Sequence, residues 1–100
     1  MEGRARISPD VLASYAADAA GEVPGVRGLA ESPLPGRKGV RVTTEGDRVA
    51  LELHLDVEWG SSLPTLGRSV QATVREYLAR MVDVAPASVA VVVGRIAAPR

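Results

Sequence analysis

Four side chains able to do chemistry occupy alternate positions of one short stretch: Glu52, His54, Asp56 and Glu58. Imidazole and carboxylates together suit zinc or manganese. The interleaved positions Val49, Leu51, Leu53, Leu55, Val57 and Trp59 are apolar, which is the period of a strand with one face on a core. On such a strand residues two apart lie roughly 7 Å from each other, so an ion would need a ligand from a neighbouring strand. Gly39, the expected neighbour of His54, supplies none. A solvated sheet face, with Arg41 beside Glu52, is the favoured reading, and no metal is expected. His54 is the sole histidine, so any imidazole-based acid–base mechanism must use it. No Gly-x-Ser-x-Gly elbow accompanies it, and Asp56 is two residues away. No catalytic residue is assigned, no cofactor is expected, and the chain is read as no enzyme. A protonation-linked change in partner binding at His54 ranks above catalysis.

A second group is basic. Gly36-Arg37-Lys38-Gly39 has the Gly-x-x-Gly spacing with which some RNA-binding domains clamp a backbone, and Arg41 follows. In those domains the loop joins two helices, whereas here it leads into a strand. An ordinary basic turn is favoured. The alternative function, a nucleic-acid-binding α/β module using Arg37, Lys38 and Arg41, predicts binding that falls steeply with salt. No P-loop or dinucleotide fingerprint is present.

Bulk properties narrow the classes further. One hundred residues suit a single domain, 1–100, with one modest core. Twelve basic and twelve acidic residues cancel, so no global field favours polyanions, and no nucleic-acid partner is expected. Without cysteine there is no disulfide framework or thiolate chemistry. The N-terminus lacks an apolar signal core and no apolar run reaches the roughly 20 residues of a membrane span. The expectation is a cytoplasmic protein without direct membrane insertion. Phenylalanine is absent, so the core must come from Val, Leu, Ala and Ile.

The elements that must position these residues can be read in order. Arg4 to Ile7 gives a weak strand signal. Ser8-Pro9-Asp10 starts a helix that runs to about Glu22, with Val11, Leu12, Tyr15, Ala16, Ala19 and Val23 on its apolar side. Ala13, Ala17 and Ala20 are read first as helix formers and only second as permitting close backbone approach. Val26–Leu29 is a short strand, and the proline- and glycine-rich stretch to Gly39 is the expected mobile loop, with 31–38 a candidate contact surface. Gly46-Asp47 suits a type II′ turn. Pairing outward from it sets Glu45 against Arg48, Val42 against Leu51, Arg41 against Glu52 and Val40 against Leu53. A second helix spans about Leu63 to Met81, with Leu63, Leu66, Val70, Val74, Tyr77, Leu78 and Met81 on one stripe and a Glu76–Arg80 pair outside it. In the last strand Val89, Val91 and Val93 share one face while Ala90, Val92 and Ile96 share the other. A strand apolar on both sides is expected to be central. The order is β-α-β-β-β-α-β: an α+β fold, two helices packed on one face of a small mixed sheet, with the other face open.

Read along its length, the chain resembles the alkaline-shock, or general-stress, family of small cell-envelope stress response domains in Gram-positive bacteria. Ile7-Ser8 followed by Val11 and Leu12 is similar to the family's opening, and Val23-Pro24-Gly25-Val26 to its Val-x-Gly-Val element. Gly39-Val40-x-Val42 and Leu53-x-Leu55-x-Val57-x-Trp59-Gly60 resemble its strands. Leu63-Pro64, Val70-Gln71-x-x-Val74 and Met81 resemble its second helix, and Val89-x-Val91-x-Val93 its last strand. Trp59 stands where tyrosine is commoner, Val82-Asp83-Val84 replaces a Thr-Gly-hydrophobic corner, and Ala90 replaces a frequent asparagine. The resemblance implies a non-enzymatic protein-interaction domain of envelope stress response or homeostasis. It implies self-association and a membrane-anchored protein partner at the inner face of the membrane. Glu52, His54, Asp56, Glu58, Arg37, Lys38 and Arg41 are the expected partner-binding residues.

Overall fold

In the computed structural model of the chain, the residues described are 7–30, 39–60 and 62–97. Helix α1 spans Pro9–Gly21, strand β1 Val26–Leu29, β2 Val40–Glu45, β3 Arg48–Glu58, helix α2 Leu63–Val82 and β4 Ser88–Ala97. The expected first strand falls largely outside the described residues, and Ile7 is not in a strand.

Local chemistry sets the ends of these elements. The Ser8 hydroxyl accepts a hydrogen bond from the Val11 amide at 3.2 Å, and Pro9 opens α1. Gly46 has φ of 61° while Asp47 stays at negative φ, as a type II′ turn requires. The β2–β3 register then follows as expected, from Glu45–Arg48 at the turn to Val40–Leu53 at the far end. At the end of α2, Asp83 takes the left-handed conformation with φ of 57°. That is the conformation a glycine most readily adopts, and aspartate is among the few other residues that tolerate it. The departure at this corner therefore keeps the turn.

The sheet corrects one expectation. β3, not β4, is the central strand. β2 pairs antiparallel with Arg48–Leu53 and β1 antiparallel with Leu55–Val57, while β4 runs parallel along Ala50–Glu58. Backbone bonds show how β3 serves three partners. The His54 amide donates to the Gly39 carbonyl and the Glu58 amide to the Gly25 carbonyl, whereas the Trp59 amide donates to Ala97. Even-numbered residues thus turn one edge to β2 and β1, which lie end to end, and odd-numbered residues turn the other edge to β4. At the junction the Ala30 amide donates to the His54 carbonyl, opposite Gly39. Gly39 has φ of 72°, and a Cβ there would lie 2.6 Å from Leu29 Cβ. The close meeting of β1 and β2 therefore needs a residue without a side chain.

The core lies between the helices and the odd-numbered face of β3. Leu51, Leu53, Leu55 and Val57 pack with Leu12, Ala16, Ala19 and Ala20 of α1 and with Leu66, Val70, Val74 and Leu78 of α2. Ala13 and Ala20 are buried along with Ala16 and Ala19, so α1 does use its alanines for close approach, while Val11 is exposed. The helix former reading alone misses this because burial depends on what α1 meets. Leu63 and Met81, the ends of the α2 stripe, are exposed as well. Arg80 lies over the Tyr77 ring, 5.8 Å from its centroid, in place of the expected pair with Glu76. Two side chains of α2 tie the return to β4: Gln71 donates to the Val89 carbonyl at 2.8 Å and Arg75 to the Pro86 carbonyl at 2.9 Å.

Candidate functional site

The even-numbered side chains of β3 emerge on the sheet face opposite the helices. Partners in register share that face, so Arg41 lies beside Glu52, Val92 beside His54 and Arg95 beside Asp56. Glu52, His54 and Asp56 are half-buried, while Glu58 and Arg41 are exposed. This places four of the expected residues in a row and a fifth, Arg41, on the adjacent strand. Arg37 and Lys38 lie outside the described residues, as does the stretch 31–38.

One pairing differs from expectation. Glu52 bonds to His54, with Nε2 and Oε2 2.6 Å apart, rather than to Arg41. The Cα spacing of alternate strand residues overstates the distance, because two long side chains on one face can lean along the strand until their tips meet. The length and flexibility of Glu and His at i and i+2 were the available signal. Where the carboxylate accepts, the donor is the His54 Nε2–H, and Nδ1 points away from Glu52. Among the described residues no group of three or more His, Cys, Asp or Glu side chains is placed to hold a metal ion. Beyond Glu52 the face dips into a shallow depression between Arg41, Thr43, Ala50, Ser88 and Ala90. Leu51 and Glu52 complete its lining, which apart from Arg41, Leu51 and Glu52 is of small side chains.

The sequence reading also missed how exposed the far side of β4 is. Leu55 pairs with Val93 but Asp56 with Arg95, so Gly94 is an extra residue that bulges the strand. After the bulge Ile96 pairs with Val57 and so turns to the helix side, not to the side of Ala90 and Val92. Trp59, expected near the core, is 66% exposed at the end of β3. The periodicity of β4 identified its apolar residues but could not tell that, among the described residues, no further strand pairs beyond it.

Comparison with known proteins agrees with this architecture. Residues 1–98 match the model of the alkaline shock protein 23 family, described as having a cell envelope-related function. The chain belongs to this family. Within its sequence relatives, YqhY of Bacillus subtilis strain 168, a protein of uncharacterized role, is 33% identical over 89 residues. That match covers 79% of the present chain and 66% of YqhY, so the chain spans just under two thirds of that relative. Among solved structures, a doubly substituted MamM CTD superposes with a TM-score of 0.65 at 20% identity, covering 89% of this chain and 84% of that one. A manganese form of a MamM CTD variant gives 0.58 at 16% identity, with 88% and 99% covered. At these identities the likeness shows the α+β fold alone. No described helix is long and apolar enough to cross a membrane.

Proposed function

We propose that this member of the envelope-related family is a non-enzymatic protein-interaction domain of envelope stress response or homeostasis. It works by self-association and by binding a membrane-anchored protein at the inner face of the membrane. The observation that supports this reading is the sheet face the helices leave open. Arg41, Glu52, His54, Asp56 and Glu58 form a shallow, half-exposed polar surface there, better shaped to meet another protein surface than to enclose a small substrate. Arg37 and Lys38 are proposed as further partner-binding residues from the sequence alone.

The row of acidic side chains disfavours the nucleic-acid reading, because Asp56 and Glu58 would repel phosphates brought to Arg41. Reversing the two charges tests the reading directly. In cells of the source organism, Asp56→Lys with Glu58→Lys is expected to move the tagged chain from the membrane fraction to the soluble fraction. Light scattering of the purified wild-type chain is expected to give a mass above the monomer. A wild-type chain that is monomeric at every concentration and never sediments with membranes would refute the proposal.

A further inference from the structure

The proposed self-association leaves open which surface joins two copies. We infer that it is the free edge of β4, paired antiparallel with the β4 of a second copy about a two-fold axis, so that two four-stranded sheets become one. This inference rests on the self-association proposed above.

Among the described residues β4 pairs with one strand, β3, so alternate residues turn backbone N–H and C=O groups to its other edge, where the Gln71 side chain takes up the Val89 carbonyl and no strand takes up the rest. Proteins commonly protect such an edge with charge, proline or a bulge. From Ser88 to Val93 β4 has none of these: the run is Ser-Val-Ala-Val-Val-Val. The bulge at Gly94 and the charge at Arg95 come only after it. The opposite edge differs. It is divided between β1 and β2 and carries Arg27, Arg41 and Glu45.

What fits β4 follows from which of its side chains are exposed. Val92, on the open face, is 39% exposed, while Val93 and Ile96, on the helix face, are 36% and 44% exposed. A partner stacked on one face would leave the other wet. A strand added at the edge adjoins both faces at once and also satisfies the backbone groups. A second copy of β4 is suited to that role because the edge is complementary to itself. With the uncharged run centred on the two-fold, Arg95 of each copy lies beyond the opposite end of the run, roughly 20 Å or more from its counterpart at strand spacing. Like charges therefore do not meet. Among the described residues the pairing is also closed, since each copy uses its one unprotected edge and leaves the charged edges outside.

The test compares wild type with Val92→Lys by light scattering over a concentration series. The side chain of Val92 is exposed, so lysine there leaves the core intact, and far-ultraviolet circular dichroism checks that it does. Wild type is expected to be a dimer and Val92→Lys to need at least tenfold higher concentration to associate. Hydrogen exchange of wild type supplies a readout without substitution: amides of 88–93 should exchange faster on dilution, and those of β2 should not. A wild-type dimer unaffected by Val92→Lys, with concentration-independent exchange in β4, would overturn the edge assignment and leave self-association standing. A wild-type monomer throughout would overturn both, and would leave the edge to a strand from a different protein.

Discussion

At the scale of single residues, Gly39 and the Glu52–His54 pair do different work. Gly39 lies where β1 and β2 meet on one edge of β3, at positive φ and with Leu29 Cβ, the Ala30 carbonyl and the His54 carbonyl around the place a side chain would occupy. Gly39→Ala combines a left-handed backbone cost with a contact that something must yield to. It is expected to lower stability by about 2 kcal/mol or more, read from urea unfolding. The Glu52–His54 bond is short, yet both side chains keep contact with water, at 37% and 25% exposed. A double-mutant cycle with Glu52→Ala and His54→Ala is therefore expected to give a coupling below about 1 kcal/mol. A larger value would mean that the open face is drier than its exposure indicates.

At the scale of elements, α1 and β4 show the same composition rule with opposite outcomes. Both are rich in small or branched apolar residues. In α1 four alanines, Ala13, Ala16, Ala19 and Ala20, are buried, bringing the helix close to α2 and the sheet. Enlarging one of them should be costly in a close-packed interior. Ala16→Leu, at a site with no exposure, is expected to destabilise by about 1–3 kcal/mol in thermal or chemical unfolding. In β4 the valines are shared between two faces of an edge strand, and two of them, Val92 and Val93, remain exposed. There enlargement should cost little, while a charge should change association.

At the scale of the whole molecule, zero formal charge and separated charges on one face set how association responds to salt. Contact along the uncharged run of β4 is expected to be insensitive to ionic strength between 0.05 and 0.3 M, both rough choices either side of physiological screening. Binding of a protein partner to the face bearing Arg41, Asp56 and Glu58 should weaken over the same range. Light scattering and partner binding in parallel salt series would separate the two surfaces. A dimer that falls apart with salt would point to the charged face as the self-contact.

Much of this fold was determined by short-range features of the chain. Ser8 and Pro9 start α1, Gly46 imposes the turn, and that turn together with the alternation along β3 fixes six residue pairs and the polarity of each face. These were legible because each depends on neighbours in sequence: a side chain reaching an amide three residues on, or a dihedral only glycine adopts freely. Even the row Glu52, His54, Asp56 and Glu58 was legible for that reason. Which strand is central, how β1 and β2 divide one edge, and how much of β4 stays uncovered were decided by tertiary structure alone. An apolar strand carries the same pattern whether its last neighbour is another strand, a second molecule or water. The pattern records what a residue would gain from burial, while the packing of the other elements decides whether that burial occurs.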